Sequence, residues 1–171
     1  FDLAWKMNVV PDEISYNTLI RGWCEKGCED RAIEVMERMK AAGVRPNVVT
    51  LTTLIRSYCK DRNMRAAMSL LETMKRTGLR PNDRTYNTLM HGWIELKNMD
   101  RAMDLFKQMK RNNRVRPDVV TYTLLISGWA REMGRMDMAE KVMQDLINNR
   151  DVSPENRTFC ALLRGYSCLR G

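Results

Sequence analysis

Few side chains in this sequence could support catalysis or metal binding. Cys24 and Cys28 have a C-x3-C spacing, but Cys59 follows Cys24 by 35 residues at the same place in a repeated pattern, which favours a buried packing position over a zinc site. His91 is the only histidine, and no cysteine or carboxylate constellation accompanies it, so we expect it on the surface or in a groove. No phosphate-binding glycine motif or nucleophile elbow is present. The sequence therefore predicts no enzyme, no metal, no cofactor and no small-molecule substrate.

The charge balance favours a polyanionic partner. The 171 residues carry 29 basic and 21 acidic side chains, a formal net charge of +8. Such an excess favours nucleic acid or an anionic surface, although a merely soluble basic protein has the same balance. No run approaches the roughly 18 apolar residues of a membrane span, so no membrane contact is predicted. Five cysteines without framework spacing favour a reducing or neutral compartment over a disulfide-bonded secreted protein.

One sequence motif recurs along the chain. ISYNTLIRGW at residues 14–23 returns as TYNTLMHGW at 85–93 and TYTLLISGW at 121–129, with weaker copies at 50–58 and 158–166. All five prolines recur with the same period as the motif, at spacings of 35, 35, 36 and 37 residues: Pro11, Pro46, Pro81, Pro117 and Pro154. A period of about 20–50 residues indicates a solenoid or array, in which each unit is too small to bury its own apolar face and must stack on its neighbours.

Each unit contains two helical patterns separated by a short turn. In the first unit the two apolar stripes are Tyr16, Leu19, Ile20 and Trp23, then Ala32, Val35, Met36 and Met39. Gly43 stands where a helix ends in a residue with positive φ, and Pro46 follows where the helix cannot continue. The predicted fold is all-α: a right-handed α-solenoid superhelix of stacked helix-turn-helix hairpins.

The period divides the chain into four complete repeats and two partial ones, all in one solenoid domain: 1–12, 13–47, 48–82, 83–118, 119–155 and 156–171. The fourth complete repeat has one additional residue near 133–136, which we expect in a loop. Because the chain begins with Phe1, we expect a fragment or a trimmed product. Ala4 lies only 7 residues before Pro11, whereas the equivalent alanine of a complete unit lies 14 or 15 residues before its proline. We therefore hypothesise that residues are missing between about Trp5 and Lys6.

These units resemble the pentatricopeptide repeat (PPR) family, P-type. The resemblance rests on SYNTLI or TYNTLM opening the first helix, MK late in the second, and GVRPN or GLRPN closing the unit, and it covers essentially the whole chain. The W-x2-L-G-x2-Y pattern of the tetratricopeptide repeat is not present. The resemblance implies binding of single-stranded RNA, one base per repeat, for processing, stability or translation of a transcript in an organelle, either mitochondrion or chloroplast.

The resemblance also implies which residues read the bases. The pair is the residue after the opening aromatic position together with the polar residue after the closing proline. The four pairs are Asn17 with Asn47, Thr52 with Asn82, Asn87 with Asp118, and Thr123 with Glu155. With the protein running parallel to the RNA, the family pattern implies 5′-(C/U)-A-U-(G/A)-3′, in which Glu155 departs from the usual Asn or Asp.

Two further columns follow from the resemblance. The positions expected to stack between bases are Ile14, Val49, Arg84, Val120 and Arg157, of which the two arginines depart from the aliphatic pattern. The candidate phosphate contacts are Arg21, Arg56, Lys60, Arg131 and Arg164. Glu25 and Glu95 occupy places where the family often has lysine, and they weaken the case for tight RNA binding. The alternative is a structural subunit of a ribonucleoprotein such as an organellar ribosome, with ribosomal proteins as partners.

Overall fold

A computed structural model describes residues 11–111, 115–132, 134–149 and 151–168, and all its regular structure is helical. The hypothesis of missing residues between Trp5 and Lys6, like the N-terminal partial repeat, lies outside the described residues apart from positions 11 and 12. The helices are α1 (Glu13–Glu25), α2 (Glu29–Ala41), α3 (Val48–Lys60), α4 (Met64–Arg76), α5 (Asp83–Glu95), α6 (Met99–Arg111), α7 (Val119–Ser127), α8 (Met136–Ile147) and α9 (Asn156–Cys168). None of the helices in the described part of the chain combines the length and apolarity needed to cross a bilayer.

The helices fall into two compact units, Phe1–Pro81 and Asn82–Gly171. In the first unit α1 pairs with α2 and α3 with α4, and α1 and α2 both pack on α3. In the second unit α5 pairs with α6 and α7 with α8, while α9 packs on α7 and α8. Each of the four predicted complete repeats therefore contains one helical hairpin, and the single-domain organisation stays a prediction.

Glycine and a few polar residues make the turns between helices. Gly43 and Gly78 both have φ +76°, as expected for helix ends that a following proline closes. In the turn inside the first hairpin, Gly27 has a positive φ of 69°. Arg62 and Lys97 occupy the same turn in their repeats with φ of 58° and 56°. The backbone of these two residues is therefore in the left-handed region, which glycine adopts without steric cost.

The predicted apolar stripes form the core of each hairpin. An alanine early in every second helix is fully buried, which lets the first helix approach closely: Ala32, Ala67, Ala102 and Ala139. The methionines of the second helices are also buried, as predicted: Met36, Met39, Met74, Met109 and Met143. Cys24 and Cys59 are buried at one repeat position, in agreement with a packing role.

The additional residue of the fourth repeat lies in a helix, so its predicted location in a loop was wrong. Helix α7 continues as a π-helical turn, Gly128–Glu132, and its nine α-helical and five π-helical residues exceed the 13 of α1 by one. In the first repeat the Cys28 N–H donates to the Trp23 carbonyl, five residues back, but in the fourth the Arg135 N–H donates to Trp129, six residues back. The wider π-turn absorbs the extra residue and leaves the closing hydrogen bond intact.

Two glycines allow consecutive repeats of the second unit to approach each other. A Cβ on Gly128 of α7 would lie 3.0 Å from Met99 Sδ and 3.1 Å from Ile94 Cγ2, in the preceding repeat. A Cβ on Gly165 of α9 would lie 2.5 Å from the Ala130 Cβ. These contacts pack the C-terminal part of two first helices, α7 with its π-turn and α9, against the repeat before each of them.

Candidate nucleic-acid interface

The polar residue after each of the first four prolines caps the first helix that follows it. Its extended backbone and its side-chain oxygen, which accepts the N–H of the third helical residue, are the features of an N-cap. The four bonds run from Ser15 to Asp12 at 2.8 Å, from Thr50 to Asn47 at 2.9 Å, from Thr85 to Asn82 at 3.0 Å and from Thr121 to Asp118 at 2.8 Å. A sequence signal for this role exists, since Asp or Asn is followed three residues later by Ser or Thr.

The predicted pair of the first repeat comes together around Thr50. The Thr50 hydroxyl donates to Asn17 Oδ1 at 2.5 Å and lies 3.1 Å from Asn47 Oδ1. The Asn47 amino group donates to the carboxylate of Glu13. Asn47 therefore uses its oxygen for the helix cap and its nitrogen for Glu13, while both asparagines stay partly exposed.

The predicted pair of the third repeat is in direct contact. Asn87 Nδ2 lies 3.4 Å from Asp118 Oδ1, and the Thr121 hydroxyl lies 2.8 Å from Asn87 Oδ1 and 2.7 Å from Asp118 Oδ1. The two contacts to Asp118, like the Thr121 N–H that caps α7, all use the same oxygen, Oδ1. The second oxygen, Oδ2, has no hydrogen-bond partner among the described residues and is available to an incoming donor.

The fourth repeat is built differently. The hydroxyls of Thr123 and Thr158 lie 2.9 Å apart, so the first reader again meets a threonine of the next first helix. Glu155 accepts the Thr158 N–H through its backbone carbonyl at 2.9 Å, and its carboxylate pairs with Arg157 at 3.2 Å. The longer Glu155 side chain thus pairs with a predicted stacking residue and does not cap the helix.

The second repeat's pair is divided between the two units. Thr52 lies in the first unit, where it is buried, and Asn82 lies in the second, where it caps α5. Their expected pairing stays a prediction.

The predicted stacking positions carry exposed side chains. Ile14, Val49 and Val120 are 73%, 60% and 50% exposed, among the largest exposed fractions for bulky apolar side chains in the described chain. Arg84 and Arg157 are also exposed. Each lies three residues before its reader on the same helix, and residues at that spacing share a face. Every reader on a first helix therefore has a solvent-facing apolar or guanidinium group beside it.

The phosphate column is exposed but partly neutralised. Arg21 pairs with Glu25 at 4.0 Å, and at the equivalent place in the third repeat His91 Nδ1 lies 3.5 Å from Glu95, in each case one helical turn apart. Arg56 and Lys60 of the second repeat are exposed and pair with no carboxylate among the residues described. Arg131 of the π-turn and Arg164 of α9 are exposed as well. In the first and third repeats a glutamate therefore lies at the end of the first helix, whereas the second repeat has two exposed cations there.

Family and structural comparisons assign the repeats and the fold. The model of the PPR repeat family matches residues 11–60, 46–95, 84–131 and 117–168. The chain belongs to the PPR repeat family. The crystal structure of PPR10 from maize matches with a TM-score of 0.82 at 25% identity, over 99% of this chain and 24% of PPR10. The predicted fold class, an all-α array of helix-turn-helix hairpins, is thereby confirmed.

Two further matches are a complex of PPR10 with RNA and a ribosomal subunit protein. The structure of PPR10 in complex with an 18-nt psaJ RNA element matches with a TM-score of 0.78 and 26% identity, over 98% of this chain and 24% of that one. The small ribosomal subunit protein mL103 (rPPR7) of Arabidopsis thaliana is 42% identical over 36 residues, which are 21% of this chain and 9% of that protein. This chain therefore spans about a quarter of PPR10 and less of mL103.

Proposed function

We propose that this PPR array binds single-stranded RNA and reads one base with each reader pair. The observation that carries the proposal is the convergence of Asn87 with Asp118, and of Asn17 with Asn47 around Thr50, across more than 29 residues of sequence. Exposed stacking residues lie beside these pairs. An amide or carboxylate at the edge of a base and an apolar or guanidinium group against its face are what recognition of an unpaired base requires.

The contacts of the first and third pairs support the bases that the family pattern assigns to them within 5′-(C/U)-A-U-(G/A)-3′. Asp118 has a free oxygen that can accept the N3–H of uracil while the Asn87 amino group donates to O4. Asn47 has its only side-chain oxygen engaged by the helix cap, so the first pair lacks the acceptor that Asp118 offers to the N3–H of uracil, which fits a weaker discrimination between the pyrimidines than in the third pair. The hydroxyl of Thr123 leaves more room than an amide, which suits a purine. The RNA would lie in an organelle, mitochondrion or chloroplast.

The test is the affinity of the chain for short single-stranded RNAs that contain 5′-CAUG-3′, measured across a salt series. Stacking of about 1–3 kcal/mol per base opposes an association cost of about 4–15 kcal/mol, so we expect weak binding that requires high protein concentration. Replacing the third base by A should weaken binding, and the double variant Asn87→Ala, Asp118→Ala should abolish that preference. Binding that ignores the third base even at low salt would contradict the proposal.

A structural role in a ribonucleoprotein is the second candidate. The pairing of Arg21 with Glu25 and of His91 with Glu95 favours it, because both acids lower the positive charge that would meet phosphates. The similarity between a stretch about one repeat long and a ribosomal subunit protein also favours this role. This role predicts RNA binding without base preference and co-sedimentation with a ribosomal or similar particle that survives the double variant.

A further inference from the structure

A buried threonine occupies the third position of four first helices. Thr50, Thr85, Thr121 and Thr158 are each 0% exposed. A hydroxyl that leaves water without a partner costs free energy, so such groups are almost always hydrogen-bonded. The partner of three of these hydroxyls is the first reader of the preceding repeat: Asn17 for Thr50 at 2.5 Å, Asn87 for Thr121 at 2.8 Å, and Thr123 for Thr158 at 2.9 Å.

The contact in the first repeat fixes which way the Asn17 amide faces. A distance of 2.5 Å suits an O–H···O bond, whereas N–H···O bonds are rarely shorter than about 2.7 Å. The Asn17 oxygen therefore faces the Thr50 hydroxyl. The amino group of Asn17 is left facing away from Thr50, with no hydrogen bond to the described residues.

In the third repeat the same orientation follows from charge. Asp118 is an acceptor only, so the side of Asn87 that faces it must be the amino group. The oxygen then faces Thr121, whose hydroxyl proton is shared with Asp118. One N–H of Asn87 is directed at Asp118, and the second has no partner among the described residues. The reader thus presents a donor to whatever binds beside it.

We propose that Thr50 and Thr121 are positioning residues that set the hydrogen-bond direction of the reader in the preceding repeat. This inference rests on the proposed RNA-reading function. The threonine is held by the helix cap, since its N–H donates to the N-cap side chain and its hydroxyl oxygen accepts the N-cap N–H, at 3.2 Å for Asn47 and 3.3 Å for Asp118. With the amide so locked, Asn87 offers a donor to the O4 of uracil and rejects the amino group that cytosine presents at the same place.

The test uses the ratio of affinities for RNAs with U or C as the third base. Thr121→Val keeps the volume and removes the hydroxyl, so the Asn87 amide can reverse and accept from cytosine. We expect the U-to-C ratio to fall by about 3- to 10-fold, the equivalent of one hydrogen bond. Thr121→Ser should restore the ratio. Thr88→Val is the matched control, because the Thr88 hydroxyl bonds only to the backbone carbonyl of Arg84 at 2.8 Å, and the ratio should stay unchanged.

The outcomes separate this inference from the function on which it rests. If the wild-type chain prefers U and Thr121→Val weakens both RNAs equally, Thr121 is only structural and the inference is overturned while base reading stands. If the wild-type chain shows no preference, both are overturned. Should Thr121→Val fail to fold by circular dichroism, nuclear Overhauser effects in the wild-type chain decide. A strong effect between the Asn87 amino protons and the Thr121 β-proton means a reversed amide and overturns the inference.

Discussion

Replacing glycine by alanine at either of two equivalent repeat positions should change the free energy of unfolding in opposite directions. Gly22 of α1 and Gly165 of α9 occupy the same place in their repeats, but a Cβ on Gly22 has no described atom within 4 Å. A Cβ on Gly165 would lie 2.5 Å from the Ala130 Cβ and 2.7 Å from the Met136 Sδ, both in the preceding repeat. Gly22→Ala and Gly165→Ala are therefore identical chemical changes with different packing consequences.

The two contributions to each variant have known sizes. Alanine is favoured over glycine inside a helix by about 1 kcal/mol, and overpacking a close contact costs about 1–3 kcal/mol. The Ala130 Cβ has no rotamer by which to move away, so the upper half of that range applies at Gly165. We expect Gly165→Ala to lower the free energy of unfolding by about 1–2 kcal/mol and Gly22→Ala to raise it by up to about 1 kcal/mol. Gly128→Ala should lie between them, because its neighbours are side-chain atoms that can shift.

The assay is urea unfolding followed by far-ultraviolet circular dichroism, combined with hydrogen exchange of the α9 amides. Exchange is included because α9 is the last helix of the described residues and can open locally without global unfolding. Gly165→Ala should accelerate exchange in α9 and leave α1 protected. Equal shifts of the same sign for Gly22→Ala and Gly165→Ala would refute the idea that close approach between repeats decides what these positions tolerate.

Three further predictions concern a titrating group, a strained turn and the phosphate column. Burial, and then the neighbouring Asp61 carboxyl, raise the pKa of Glu29 from 4.5 to about 7, so the folded chain binds this proton more tightly than the unfolded one. Stability should therefore fall as pH rises from about 4.5 to 7, and Glu29→Gln should flatten this dependence and raise the Tm at pH 8 or so. Lys97→Gly should stabilise by about 1 kcal/mol in urea unfolding, since it relieves a positive φ; a loss of stability would contradict this. Glu95→Lys should tighten RNA binding and add about one to the salt slope, and an unchanged slope would place this helix end away from phosphate.

The repeated sequence pattern predicts most of the fold because each of its signals is local. Gly43, Pro46 and the apolar stripe of α2 each act within one or two helical turns, and the structure places all of them as expected. The π-turn at Gly128–Glu132 is not local in this sense. An extra residue can enter a loop or widen a helix, and the choice depends on whether the Trp129 carbonyl keeps its closing bond.

The candidate site is only partly predictable for a similar reason. The repeat pattern marks Asn87 and Asp118 as equivalent to other readers, and the Asp-x-x-Thr spacing marks a helix cap. The contact of Thr121 with Asn87 joins residues 34 apart in sequence and exists only because consecutive first helices pack side by side. A periodic pattern shows which residues are alike, but which of them touch across repeats depends on the packing of the helices.

The most direct test of the account is to recode one repeat. Asn87→Thr with Asp118→Asn gives the third repeat the pair that the second repeat carries in Thr52 and Asn82. Affinities for RNAs with each of the four bases at the third position would be measured for both chains. If the residue pairs read the bases, the preference changes from U to A while the preferences at the other positions remain. A recoded chain that still prefers U, or a wild-type chain that binds all four RNAs equally, would contradict reading by these residue pairs.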